Sequence, residues 1–400
     1  MTSRSRLRLT LVLGALSALG PLSIDMYLPA FPSVARSLGT SVAAVQLTLA
    51  TYLAGFALGQ LVYGPLADRF GRRRPLLAGL ALYLVSAIGC AAAASLTALA
   101  VARFIQGLGG CAGLVISRAV IRDHFDVRES SRMYSSLMLV MGAAPILAPL
   151  AGGQVLVLAG WRTVFVLLAL ASGALIAVIA LGLPESLPPG ARPRFGFAEA
   201  LRSFAAPLAH GRFVRLSLVG GAILAAMFAY ISGAPFVFIE LLGVRPERFG
   251  LIFGTNAFGL IGVSQLNHVL VRRFGVERVL RASVVVAFLA YGALYLAIAL
   301  GGGLAAILPP LFLGVSMFGL VVPNATAAAM GHFGAQAGSA SSVLGVLQST
   351  CGALAATAVS LLADGTARPL ALVTLASASC AVVLAAAGPV RTRALAKGAS

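Results

Sequence analysis

Two ionisable residues stand inside stretches otherwise apolar enough to cross a membrane. Asp25 lies in "GPLSIDMYLPAFP", residues 20–32, and Arg103 opens "RFIQGLGG", residues 103–110. Charged groups are expensive in a bilayer core; they face a partner or a water-filled cavity and often mark an ion or substrate path. Burial penalises the charge of a carboxylate, whereas a nearby guanidinium favours it. An aspartate balanced between those effects can take a proton on one side of a membrane and release it on the other. The alternatives are a static pair that fixes two helices, a snorkelling arginine, or an aspartate at an open mouth.

The other reactive side chains offer less. Cys90, Cys111, Cys351 and Cys380 all fall in apolar runs and imply no disulfide framework. His124, His210, His268 and His332 lie at expected helix ends or loops without metal-binding spacing. Gly107, Gly109, Gly110 and Gly113 make a loose nucleotide-loop pattern that lacks a strand before it and an acid after it, so no cofactor is expected. Small residues at this density let helices approach closely. An intramembrane hydrolase would need a nucleophile with its base, or a metal cluster. The sequence offers neither, and it carries no phosphate loop for ATP, so it does not read as an enzyme.

The elements that must position Asp25 and Arg103 follow from composition. Of the 400 residues, 60% are hydrophobic and 10% charged, and the mean hydropathy is +0.99. An ordinary soluble domain is about half apolar and about a quarter charged, so the chain is an integral membrane protein. Its formal charge of +18 is scattered between apolar runs rather than gathered on one soluble face, which argues against nucleic acid as a partner. A span needs about 20 apolar residues. Twelve are expected, near 9–33, 44–66, 75–95, 97–119, 132–158, 161–183, 214–240, 248–270, 279–299, 304–329, 338–363 and 369–388. The basic start and first apolar run also fit a secretory signal peptide, but the run continues through Asp25 and is read as the first helix.

With the N-terminus inside, 23 of the 29 Lys and Arg residues fall at inner loops and helix ends. Cytoplasmic loops keep positive charge, so both termini are expected in the cytoplasm. The polar stretch 184–213 separates six spans from six, giving an N-terminal bundle over 1–183 and a C-terminal bundle over 214–400. "YLPAFP" ending span 1 is echoed by "GAPFVF" in span 7, and "GPLADRFGRR" after span 2 has a weaker echo in "NHVLVRRFGVER" after span 8. Repeated halves suggest a transporter that rocks about a central site. At 1.5 Å per residue Asp25 lies about 24 Å from the inner end of span 1, and Arg103 roughly 6–9 Å below the outer end of span 4. Both depths fall in the outer half of a core of about 30 Å, where the two side chains can share one cavity.

Taken in order, "PLSIDMYLPAFP", "GFALGQLVYGPLADRFGRRRP", "RFIQGLGG", "APILAPLAGG", "GWRTVF", "LPESLPPGAR", "GAPFVFIE" and "AGSASSVLG" are specific enough to name a family. The chain resembles the major facilitator superfamily and, within it, the Bcr/CflA group of drug exporters. The resemblance implies an all-α membrane protein with twelve transmembrane helices in two pseudo-symmetric six-helix bundles. It also implies a monomer of the bacterial inner membrane that needs no cofactor or metal and is driven by the proton gradient. Asp25 and Arg103 would couple proton movement to transport, protonation of Asp25 weakening its hold on Arg103.

The same motifs have plain physical readings. "GPLADRFGRR" packs five charges into 68–74; Arg73 and Arg74 suit a positive-inside anchor, while a turn at Gly71 can hold Asp68 against the positive end of a helix dipole. The resemblance implies a latch made by Gly64, Asp68, Arg69, Gly71 and Arg72, with Asp68 set against Gly338 and Ser339 at the start of span 11 and Arg72 bonded to Asp123. Pro145, Pro149, Gly152 and Gly153 in span 5 would kink the helix and permit close packing. They correspond to the antiporter motif, thought to restrict leak, with Ala148 where many relatives carry Gly.

Tyr27, Tyr52, Phe56, Met227, Tyr230 and Phe236, with polar Gln106, Asn256 and Gln348, could line an adaptable cavity for small amphiphiles, although each also suits ordinary helix packing. Glu240 reads as a boundary residue with a lesser chance of gating. Bicyclomycin, chloramphenicol-type compounds or cysteine are the cargoes the resemblance suggests. A proton-coupled importer or metabolite transporter of the same fold is the alternative, against which the span 5 motif argues.

Overall fold

Serine and glycine punctuate an otherwise apolar chain. Ser41 and Ser95 cap helices by accepting from the backbone N–H of Ala44 and Ala98, at 3.1 and 3.2 Å. Gly71, Gly160 and Gly275 take positive φ at the turns that join successive helices. The computed structural model describes residues 3–125, 127–187, 203–331, 333 and 337–387.

The helices that cross are α1 (Ser3–Asp25), α2 (Val42–Phe70), α3 (Arg73–Ala92), α4 (Leu96–His124), α5 (Val127–Ala159) and α6 (Trp161–Gly182). After the linker, most of which lies outside the described residues, come α7 (Gly211–Ala234), α8 (Pro246–Phe274), α9 (Val276–Ala299), α10 (Leu304–Met330), α11 (Ala337–Leu361) and α12 (Arg368–Ala386). Eleven of these are long and apolar enough to span a membrane, and the described apolar part of α5 covers Ala143–Ala159. Leu181 is 88% exposed, a position that suits lipid and would be wasted in water.

Two expected spans are not continuous α-helices. Span 1 stops at Asp25, passes through a 3-10 turn at Leu28–Ala30 and resumes as the short helix Phe31–Ser37. Pro29 and Pro32 have no N–H to donate, so the regular ladder cannot run through them. Span 7 is α-helical to Ala234 and then widens into a π-helical turn, Pro235–Leu241, again where a proline removes a donor. The expected break points of α5 behave otherwise, for its helix runs through Pro145 and Pro149.

Packing repeats with a shift of six. α1 packs on α5, α2 on α4, α3 on α4 and α3 on α6; in the second half α7 packs on α11, α8 on α10, α9 on α10 and α9 on α12. The halves meet through α2 against α11 and α5 against α8. Adding six to the first of these pairs, counted around twelve, returns the second. The fold is therefore two pseudo-symmetric six-helix bundles, with the break after Asp25 lying where α5 and α8 approach.

Candidate functional site

Arg103 is fully buried. Its Nη1 donates to the backbone oxygen of Ser23 at 3.0 Å and to Gln106 Oε1 at 2.7 Å. The guanidinium carbon lies 4.4 Å from the ring centroid of Tyr52, 4.9 Å from Tyr27 and 5.7 Å from Phe165. Nε and Nη2 have no hydrogen-bond partner among the described residues. Aromatic faces thus take the place of water and of a carboxylate around the cation, an attraction of about 2 kcal/mol or more when desolvated. The cage is built from α1, α2, α4 and α6, so it ties four helices of one bundle together.

Asp25 ends α1 and is 5% exposed. The expected direct bond to Arg103 is absent, and no described residue forms an ion pair with Asp25. Arg103 is held instead through the backbone oxygen of Ser23, two residues before Asp25. Tyr52 of α2 and Tyr230 of α7, one from each bundle, lie within electrostatic range of Asp25. Met26, the next residue, packs against Gly152 of α5 so tightly that any Cβ there would overlap its backbone oxygen.

Sequence reasoning missed several groups that hold this arrangement. The Ser23 hydroxyl shares a hydrogen bond with Tyr83 at 2.5 Å, and Tyr27 shares one with Thr48 at 3.1 Å. Ser23 stands two residues before Asp25, but only the fold shows that its carbonyl receives the arginine. Tyr83 and Phe165 carry no signal beyond an aromatic in an apolar span.

The expected cavity residues separate into groups. Tyr27 and Tyr52 are fully buried cage walls rather than the lining of an open space, and Gln106 is engaged by Arg103. Phe56 stacks on Tyr52 with ring centroids 6.2 Å apart. In the other bundle Asn256 donates to the Tyr230 hydroxyl at 2.9 Å, and Tyr230 stacks on Phe253. Gln348 Nε2 has no hydrogen-bond partner among the described residues and lies against Gly220, while Met227 is half-buried. Phe236 lies apart from these, on the wall of a cavity at the predicted outer end.

At the predicted inner end Arg72 Nε donates to Asp123 Oδ2 at 2.8 Å and Nη1 to Asp68 Oδ1 at 2.5 Å. Burial opposes the charge of Arg72, but Asp123 and Asp68 outweigh it and hold the pKa above the ordinary arginine value. Glu185, which the sequence reading did not single out, accepts from the backbone N–H of Arg72 at 2.7 Å and of Arg73 at 3.2 Å; Ser186 donates to Asp123 at 3.0 Å. Arg73 also donates to the Ala180 carbonyl. The turn at Gly71 is therefore bonded to the ends of α4 and α6 within one bundle.

Asp68 accepts from Arg72 within its own bundle. α2 and α4 approach α11 where a Cβ on Gly64 would lie 3.9 Å from Ser342 Oγ, and one on Gly338 would lie 3.7 Å from Arg122 Nη1. Arg69 lies over the Phe70 ring at 5.3 Å. In α5, a Cβ on Gly153 would lie 2.7 Å from the Pro246 oxygen of α8, so the two bundles touch there.

Three further bonds cross between bundles. Gln60 Nε2 donates to Ser349 Oγ at 2.8 Å, Ser360 Oγ to the Ala43 oxygen at 2.5 Å, and Arg36 meets Glu240 at 3.5 Å. Among the described residues no group of three or more His, Cys, Asp or Glu side chains could hold a metal.

The chain matches a family model described as Major Facilitator Superfamily over residues 13–356. It is 38% identical over 359 residues to an uncharacterized MFS-type transporter, YdgK, of Bacillus subtilis, covering 88% of each chain. It is 30% identical to a bicyclomycin resistance protein homolog of Haemophilus influenzae, covering 90% of each. A solved D-xylose-proton symporter shares the fold with a TM-score of 0.77 at 16% identity, over 95% of this chain and 96% of that one.

Proposed function

The chain belongs to the Major Facilitator Superfamily, and we propose that it is a proton-coupled efflux antiporter of the bacterial inner membrane that exports small amphiphilic compounds by alternating access. The observation that carries the reading is Asp25, 5% exposed between two bundles and bonded to no cation among the described residues. A buried carboxylate without a cation is costly to keep charged, so a proton stabilises it.

When the outer side opens, a proton from the more acidic medium reaches Asp25. When the inner side opens, cargo entering from the cytoplasm favours loss of that proton. Arg103 acts in this scheme as a fixed charge behind α1, holding the backbone that presents Asp25. Arg72, Asp123, Asp68 and Glu185 brace the first bundle so that it moves as one body. The bilayer, protons and the cargo are the only partners the scheme requires: both termini lie in the cytoplasm, the monomer suffices, and the proton gradient supplies the drive without a cofactor. The relative named for bicyclomycin resistance makes that drug the first cargo to try, with chloramphenicol-type compounds and cysteine beside it.

The test is proton release from energised inverted vesicles on adding these compounds, with wild type and Asp25→Asn compared at equal expression. Compound-dependent release that vanishes in the variant is expected. Release that persists in Asp25→Asn would return Asp25 to helix packing.

A further inference from the structure

At the predicted outer end a cavity of about 480 Å³ opens between the bundles. Its volume falls within the range of small-molecule sites, about 300–1,000 Å³. Phe236 and Val237 from the π-helical turn and Leu370 from α12 give it an apolar wall. Facing them from α2 is Gln46, 2% exposed, whose Oε1 has no partner among the described residues. A buried amide oxygen left unpaired is costly unless a donor completes its bond. At the rim Arg36 and Glu240 neutralise each other at 3.5 Å, which leaves no net charge to attract an ion.

We infer that this cavity is a second ligand site, distinct from the Asp25 region, for an uncharged amphiphile carrying an amide or hydroxyl group. The polar group bonds Gln46 and the apolar body lies on Phe236, Val237 and Leu370. Because the walls come from both bundles, an occupant ties them together at this end and holds it closed. The site neither requires proton coupling nor depends on it.

The test uses 4-benzoylbenzamide, an uncharged photoreactive aryl amide, on the purified full-length protein in liposomes, with crosslinked peptides mapped by mass spectrometry. Labelling is expected within 233–240 and 363–370, falling by about fivefold in Gln46→Leu, the effect of one neutral hydrogen bond. Benzophenone, which lacks the amide, should label the same segments weakly and equally in both proteins. Equal labelling of wild type by the two probes would overturn the inference even if Gln46→Leu failed to fold, as would undiminished labelling of a folded Gln46→Leu. These outcomes are read without transport, so they stand apart from any result with Asp25→Asn.

Discussion

The guanidinium of Arg103 donates to the backbone oxygen of Ser23 at 3.0 Å, two residues before Asp25 and without an ion pair to it. A side chain read from its depth as the counter-ion of a carboxylate is instead an anchor for the helix end that carries it. Three rings complete its surroundings, and they come from helices that must stay together if α1 is to break at the same place in every state.

Replacing Arg103 by Met should therefore leave the protonation of Asp25 nearly where it was. Titrating the Asp25 carboxyl band by infrared difference spectroscopy, with Asp25→Asn to assign it, should show the midpoint moving by less than about one pH unit. A directly bonded arginine would shift it by about 1–3 units. Arg103→Lys should lose export, because an ammonium lacks the planar face that stacks on Tyr27 and Tyr52. A large infrared shift in Arg103→Met would restore the direct pair.

The Arg72 cluster predicts an order of stabilities. Asp123 is 12% exposed in its side chain and Asp68 47%, while Arg72, which they share, is 5% exposed. Asp123→Asn weakens a charged hydrogen bond to a buried cation and should cost about 2 kcal/mol. Asp68→Asn weakens a pair open to water and should cost under about 1 kcal/mol. Thermal unfolding of the detergent-solubilised protein checks the order. If Asp68→Asn were the more damaging, the bond to Asp123 would be secondary.

Hydropathy was enough to locate the long helices, eleven of which among the described residues are long and apolar enough to cross, because lipid forces each span to be long, apolar and helical. The Arg72 bond to Asp123 was expected only through the family resemblance, and the structure forms it at 2.8 Å. The missing ion pair of Asp25 was not legible, because similar depth in two spans does not by itself bring two side chains into contact. Gln60 was invisible for another reason. A single uncharged amide in a span usually bonds within its own bundle, and only the contact of α2 with α11 shows that this one reaches across.

That crossing bond gives the remaining prediction. Gln60 to Ser349 lies toward the predicted inner end of the α2 and α11 contact, and Ser360 to Ala43 at the outer end. Hydrogen bonds between helices in membranes average about 0.6 kcal/mol, close to threefold in a two-state population. Ser349→Ala should therefore raise the inner-open fraction about threefold, whereas Ser360→Ala should favour opening at the other end. Spin-label distances between α2 and α11, measured at each end by double electron–electron resonance, read both populations in one sample. Opposite shifts from two similar serine deletions would tie each bond to the closure of its own side. Shifts in the same direction, or none, would make both bonds incidental to the conformational cycle.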